Sequence, residues 1–213
     1  MTQKGKVLMS SLQEPKIAQI ILAAGASSRM GEPKQLLPWH GTTLIGHAIK
    51  EALQVETSSV FVVLGAYYDL IYKEVCNFPV TILEHPNWKM GMGSSIRFGV
   101  KTATQDKLTF DAVLISLIDQ PLIDAVHLEA LISKYNANPE SIVATDLGGR
   151  TGAPAIFPAS CFDELSMLKS DYGARYIIEK HKDKTKVVTA SGKGVDLDTK
   201  KEYQALVQGK FPS

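Results

Sequence analysis

The sequence predicts an α/β fold in which helices wrap a mostly parallel sheet. Three observations carry that expectation. Short apolar runs alternate with amphipathic segments along most of the chain. Residues 112–117 are apolar on both faces, as a central strand covered from two sides must be. The chain has 213 residues, 45% of them apolar, enough for one such domain to bury roughly 70% of its unfolded surface.

In chain order, residues 1–15 read as a polar, flexible N-terminal tail and residues 16–213 as a single domain. A strand over 17–22 is followed by a helix over 43–54, a strand over 60–64 by a helix over 69–75, and a strand over 80–83 by a helix over 94–103. A strand over 112–117 leads to a helix over 125–135. Strands over 142–145 and 155–157 precede two short helices near Phe162 and Arg175. The last strand candidates are 187–189 and 195–197, before a closing helix over 200–207. No internal repeat, linker or low-complexity segment interrupts this pattern.

Composition excludes several function classes. A net charge of +1 gives no field to steer nucleic acid, and no long basic run exists. Lys4 and Lys6 precede only a short apolar patch, broken by Ser10, Ser11, Gln13 and Pro15, which is not the pattern of a signal peptide. No apolar stretch approaches the ~20 residues of a membrane span. Cys76 and Cys161 form no paired motif, so neither a zinc site nor a disulfide framework is indicated. The expected location is cytoplasmic.

The loop after the first strand carries the strongest chemical signal. Leu22-Ala23-Ala24-Gly25-Ala26-Ser27-Ser28-Arg29-Met30-Gly31-Glu32-Pro33-Lys34 empties an apolar run into small residues, then places two cations where both can fold back over the turn. Small residues let backbone N–H groups approach an anion closely, and Arg29 and Lys34 add charge beside them. The combination suits a polyphosphate. It is not a Walker A loop, because no Gly-Lys-Ser/Thr follows Gly25. Gly91-Met92-Gly93 begins like a dinucleotide fingerprint, but Ile96 stands where the third glycine belongs. The segment resembles the signature L-A-A-G-x-S-x-R-M-G-x-x-K of nucleotidyltransferases that activate small phosphorylated molecules with an NTP. Leu22, Ala23, Ala24, Gly25, Ser27, Ser28, Arg29, Met30, Gly31 and Lys34 are the expected nucleotide-binding residues. Lys34, bracketed by Pro33 and Pro38 that restrict the loop, is the better candidate for a catalytic cation, with Arg29 beside it.

In sheets of this kind ligands collect beyond the carboxyl ends of the strands. Asp119, in Ser116-Leu117-Ile118-Asp119-Gln120-Pro121, follows the central strand there. It either supplies a catalytic carboxylate to the Mg²⁺ of an NTP, which takes oxygen ligands, or turns the chain before Pro121. The segment is similar to the family's Gly-Asp-Gln-Pro, with Ile118 in place of glycine. In Val195-Asp196-Leu197-Asp198-Thr199 two aspartates share a strand face by the two-residue period. Either can reach the metal, and either Asp198 or Thr199 can start the following helix; resemblance to the family's D-I-D-T segment favours Asp198 as the second ligand. Gly91 permits close approach of a flat group, and Ser94 or Ser95 can cap a helix and donate to a ligand; the resemblance places Gly91 and Ser95 at the nucleoside. Gly152 and Pro154 resemble part of a G-x-P-x-x-F loop lining the acceptor side, with Ala153 where His or Asn is common. Arg175, in Ser170-Asp171-Tyr172-Gly173-Ala174-Arg175, resembles the last residue of G-D-x-G-A-R. It reaches an acceptor phosphate or pairs with a surface carboxylate. His40, His47, His85, His127 and His181 form no metal-spaced pair and are expected mostly on the surface or on helices.

A phosphate monoester attacking an NTP needs no general base, because the nucleophile is already an anion; the obstacle is bringing two anions together and stabilising the departing pyrophosphate. N–H groups, Arg29, Lys34 and two carboxylates have that composition. The chain as a whole, from about residue 17 to about residue 206, resembles the molybdenum-cofactor nucleotidyltransferases of the MobA-like NTP transferase family, and most of all their cytidylyltransferase branch. Ala23-Ala24-Gly25 differs from the Gly-Gly version of guanylyl-transferring relatives. The resemblance implies a three-layer α/β/α, Rossmann-like sheet of the nucleotide-diphospho-sugar transferase type. It implies Mg²⁺-dependent transfer of CMP from CTP to molybdenum-bearing molybdopterin with release of pyrophosphate. The product would serve an apo-molybdoenzyme such as a xanthine dehydrogenase-like hydroxylase. The alternatives are a cytidylyltransferase for a sugar or polyol phosphate and a non-catalytic maturation factor that hands the cofactor on.

Overall fold

Seven strands form one sheet in the computed structural model, which describes residues 14–57, 59–105, 109–169 and 172–210. Residues 1–13 of the expected tail lie outside that description, as do Ser170 and Asp171. The strands are β1 (Ile17–Ala23), β4 (Ser59–Leu64), β5 (Thr81–Glu84), β6 (Ala112–Leu117), β7 (Val143–Asp146), β8 (Thr151–Pro158) and β9 (Lys186–Thr189). The two-residue strands β2 (Pro38–Trp39) and β3 (Thr42–Thr43) pair separately as a small hairpin. The helices are α1 (Leu44–Leu53), α2 (Tyr68–Val75), α3 (Met92–Gln105), α4 (Ala125–Asn136), α5 (Phe162–Ser166), α6 (Ala174–Lys180) and α7 (Lys200–Val207).

The sheet order is β5-β4-β1-β6-β8-β7-β9. Every pairing is parallel except the two made by β8, which runs against both β6 and β7. The expected mostly parallel, three-layer arrangement is therefore present. β1 is buried along its whole length, and its alternate residues feed two cores, as the two-residue period requires. Ala18, Ile20 and Leu22 join Val63, Val113 and Ile115 against Ile96 and Val100 of α3 and Ile177 of α6. On the other face Ile21 and Ala23 pack with Ile45 and Ile49 of α1 and Ile71 of α2, and Leu114 packs with Leu128 and Leu131 of α4. A satellite cluster of Met30, Leu37, Trp39, Leu44, Leu197 and Leu206 lies under α7.

Local chemistry sets the helix starts. The Thr43 hydroxyl accepts from Gly46 N at the head of α1, and Asp124 accepts from His127 N at the head of α4. Thr199 and Glu202 form a reciprocal capping box that opens α7. Thr199, not Asp198, is thus the cap of the closing helix. The strand expected over 195–197 does not form: that segment is a crossing whose backbone meets the sheet's ligand edge where Leu197 N donates to Asp119 O at 2.8 Å. Its alternating Val195 and Leu197 mimic a strand because Leu197 fills the satellite core. Among the described residues no helix is long and apolar enough to cross a membrane.

Close approach at the head of α3 requires Gly93, where a Cβ would run into the backbone oxygens of Lys169 and Tyr172. Neither oxygen belongs to a flexible side-chain end, so relief needs backbone movement. Gly93→Ala should cost about 1–3 kcal/mol. A urea titration should show a lower midpoint with an unchanged m-value; an unchanged midpoint would contradict this packing.

Candidate active site

The carboxyl ends of β1 and β6 open into a cleft of 430 Å³. Leu22, Ala23, Ala24, Gly25, Ser27, Ser28, Arg29 and Lys34 line it from one side. Trp88, Lys89, Gly91, Met92 and Ser95 line it from the head of α3, and Asp119 and Asp198 from below. All the expected nucleotide-binding residues except Met30 and Gly31 therefore meet in one space. Met30 is 2% exposed and anchors the loop in the satellite core. Gly31 takes φ +71° to turn the chain and does not border the cleft.

The loop is held from beneath by a residue that sequence reading missed. Gln35 is buried, and its Nε2 donates to Ala23 O and Gly25 O, each at 2.8 Å. Ser27 adopts φ +52°, an uncommon left-handed backbone for a residue with a Cβ. Its hydroxyl accepts from Lys34 N at 3.2 Å and lies 3.4 Å from Gln35 Oε1. Opposite, Gly91 uses φ +91° to cap a short 3₁₀ turn over Trp88–Met90. Ser94 turns inward, donating to Gly91 O at 2.8 Å and meeting His85 Nε2 at 2.9 Å, which leaves Ser95 as the serine on the cleft wall. His85 is buried and stacked on Phe98, off any helix, contrary to the expectation of a surface or helical histidine. Burial pushes its pKa down, as it does for His127, also buried though helical.

Lys34 is the electrostatic centre. Its ammonium donates to Asp119 Oδ2 at 2.9 Å and to Leu197 O at 2.9 Å, and lies 3.7 Å from Asp198 Oδ1. Arg29, two-thirds exposed, reaches Asp198 Oδ1 at 3.0 Å. Burial pushes the Asp119 carboxyl above the usual carboxylate range, and Lys34 opposes that rise. Asp119 Oδ1 is buried with no hydrogen-bond partner.

These features fit a hard divalent cation. An ammonium already sits between the two carboxylates, and one buried carboxylate oxygen is left without a donor. Among the described residues no cluster of three or more His, Cys, Asp or Glu could hold a metal. Two carboxylates with nucleotide phosphate oxygens are, however, a usual Mg²⁺ environment.

A second cavity of 280 Å³ adjoins the first and shares Leu22, Arg29, Met92, Leu117, Asp119 and Asp198 with it. Gly152 and Arg175, two of the three residues expected at an acceptor, line it together with Ala153, Arg150, Asp196 and Gln120. Pro154, joined to Ala153 by a cis bond, faces away from this cavity toward a small space beside Gln19 and His47. Arg150 was missed by sequence reading. The signal was the Gly148-Gly149 pair, which marks a tight hairpin with Arg150 just past its tip. The two aspartates two residues apart also diverge. Asp198 faces Arg29 and Lys34, whereas Asp196 pairs with Arg150 and accepts from Gln120 Nε2 at 3.0 Å.

The fold is that of the nucleotide-diphospho-sugar transferase type, an α/β/α arrangement around a mostly parallel sheet. Residues 19–185 match the MobA-like NTP transferase domain, and the chain belongs to that family. It is 30% identical to the purine catabolism protein PucB of Bacillus subtilis over 92% of this chain and 98% of PucB. It is 28% identical to nicotine blue oxidoreductase of Paenarthrobacter nicotinovorans, over 93% of this chain and 100% of that protein. The manganese complex of Rv0371c from Mycobacterium tuberculosis superposes with a TM-score of 0.74 at 22% identity, covering 91% of this chain and 98% of that one.

Gln35 generates a direct test. Gln35→Leu leaves the oxygens of Ala23 and Gly25 without their donor and should cost about 1–3 kcal/mol. Hydrogen exchange should quicken at Lys34 N, while amides of β6 keep their order of protection; unchanged exchange in the loop would show that Gln35 does not hold it.

Proposed function

We propose that this nucleotidyltransferase moves CMP from CTP to molybdenum-bearing molybdopterin, releasing pyrophosphate, in the maturation of a molybdenum cofactor. The observation that carries the reading is the shared wall between the two cavities. A nucleotide in the first and an anionic acceptor in the second would meet at Arg29, Asp119 and Asp198. The loop N–H groups and Lys34 hold the triphosphate, while Gly91 and Ser95 receive the nucleoside. Asp119 and Asp198 hold Mg²⁺, which when bound offsets charge on the reacting phosphates. A phosphate oxygen of the acceptor attacks the α-phosphorus, and the bond to the β-phosphate's bridging oxygen breaks. Arg29 and Lys34 balance charge on the departing pyrophosphate, and no side chain needs to remove a proton. Supporting this are the family membership, the manganese in the structural neighbour and the buried, donor-free oxygen of Asp119. The choice of CTP rests on Ala23-Ala24-Gly25, and the receiving partner would be a hydroxylase-type apo-molybdoenzyme. Residues 16–213 act as one catalytic unit in this reading, in the cytoplasm.

A coupled pyrophosphate assay comparing CTP with GTP, with and without molybdenum-loaded molybdopterin, tests the reading. Release should require both CTP and the pterin. Release with a sugar or polyol phosphate in its place would redirect the assignment, and binding of the pterin without release under any NTP would end it. Lys34→Ala and Asp119→Ala should each lose about a hundredfold or more in turnover while retaining the wild-type circular dichroism spectrum.

The raised pKa of Asp119 adds a pH dependence. In the metal-free protein the folded state keeps this proton to a higher pH than the unfolded chain. The group's contribution to stability is therefore lost as pH rises from the ordinary aspartate value through the raised folded one. A cation that needs the carboxylate reverses the sign, so Mn²⁺ affinity should weaken as pH falls toward that raised value. Calorimetric Mn²⁺ titrations at successively lower pH should show this weakening, and Asp119→Asn should remove most of both the affinity and its slope.

A further inference from the structure

We propose that Arg150 selects the acceptor by binding its phosphate, and that Asp196 positions Arg150 instead of ligating the metal; this rests on the nucleotidyl-transfer reading above. The geometry begins in the β7–β8 hairpin. Gly148 and Gly149 take φ of +75° and +90°, the paired left-handed conformation of a tight two-residue turn. Leu147 N donates to Arg150 O at 2.9 Å and Gly148 N to Asp146 Oδ1 at 3.0 Å, which closes the turn. Because β8 runs against its neighbours, its first residues lie at the ligand edge, and Arg150 borders the second cavity. Leu147 packs where a Cβ on Gly194 would stand, so the hairpin tip and the segment carrying Asp196 are fitted to each other.

Both oxygens of Asp196 are engaged by nitrogen donors: Oδ1 by Gln120 Nε2 at 3.0 Å and Oδ2 by Arg150 Nη2. Gln120 is itself 4% exposed, so this support is fixed in the protein. Asp119 presents the opposite case, a buried oxygen with no donor. A carboxylate with both oxygens filled, one by a guanidinium and one by an amide, is a poor third ligand, whereas Arg29 and Lys34 both approach Asp198 through Oδ1 and Lys34 bonds Asp119 through Oδ2. Arg150 spends one terminal nitrogen on Asp196, and its other guanidinium N–H groups have no partner among the described residues. A guanidinium oriented from one edge and open on another is suited to bidentate capture of a phosphate.

Charge points to the same ligand class. Arg29, Arg150 and Arg175 balance Asp119, Asp196 and Asp198 around this cavity. A bound divalent cation leaves it positive, so it favours a phosphate monoester over a neutral alcohol.

The test uses the full chain, with Arg150→Ala, Arg150→Lys, Asp196→Asn and Asp198→Asn. Methyl phosphate, the smallest phosphate monoester probe, is titrated by NMR into protein holding Mn²⁺-free Mg²⁺ and a non-hydrolysable CTP analogue. Arg150→Ala should weaken its binding by about tenfold or more, with Arg150→Lys in between because a point charge replaces the fork. Asp196→Asn should weaken methyl phosphate similarly yet keep Mn²⁺ affinity within about twofold, whereas Asp198→Asn should lose Mn²⁺ affinity by about tenfold or more. In turnover, Arg150→Ala should raise the KM for the pterin acceptor more than it lowers kcat. Equal methyl phosphate binding by wild type and Arg150→Ala, or a loss of Mn²⁺ in Asp196→Asn matching that in Asp198→Asn, would overturn the proposal. Absence of pyrophosphate release in the wild type with every NTP would instead sink the transfer reading, while the methyl phosphate titration would still decide the role of Arg150.

Discussion

A single ammonium group, Lys34 Nζ, holds together three stretches of chain that are distant in sequence. It bonds the loop after β1 to Asp119 beyond β6 and to Leu197 O in the crossing before α7. Its side chain is only 13% exposed and that of Asp119 21%, so the pair interacts in a medium far less screening than water. Removing either member leaves a poorly hydrated charge behind, and breaking such pairs is costly. The same contact that closes the cleft therefore concentrates positive charge where a triphosphate would lie. Lys34 ties the fold together and borders the cleft through one position.

Around that pair, buried polar side chains do work that apolar packing cannot do. Gln35 ties two carbonyls of the loop, and His85 backs the serine that fixes Gly91. Tyr203 of α7 donates to Pro38 O at 2.7 Å, clamping the small hairpin from outside. These groups sit on or against regular elements, which is how a glycine-rich loop can be kept in one shape despite its low intrinsic rigidity. The apolar residue within the loop, Met30, serves the same end by plugging into the satellite core.

Much of this architecture was legible because it follows from period and composition. The strands over 112–117 and 17–22 show as mostly apolar runs, each broken by one polar residue, and the observed β6 and β1 match them to within a residue. The loop wall of the first cavity was readable because its residues are nearly contiguous, from Leu22 to Lys34. The second cavity was harder. Arg150, Gln120 and Asp196 come together only through the reversed β8 and a crossing segment, and sequence spacing carries no record of that meeting. The false strand at 195–197 has the same origin: Leu197 faces a local core, and alternation alone does not distinguish that from a sheet. Gln35 was invisible because a polar residue after a loop reads as solvent-exposed unless its backbone partners are known.

The reversal of β8 has a consequence for how this scaffold can diversify. Parallel strands deliver their final residues to the ligand edge, so altering those residues disturbs the helices that follow. β8 instead delivers its beginning, just after a hairpin whose tip is two glycines. A hairpin tip tolerates lengthening and exchange at little cost to the rest of a domain. One side of the double cleft is thus built where parallel strands pass into the chain that follows them, while the other hangs from an editable corner that can change without rebuilding the loop after β1.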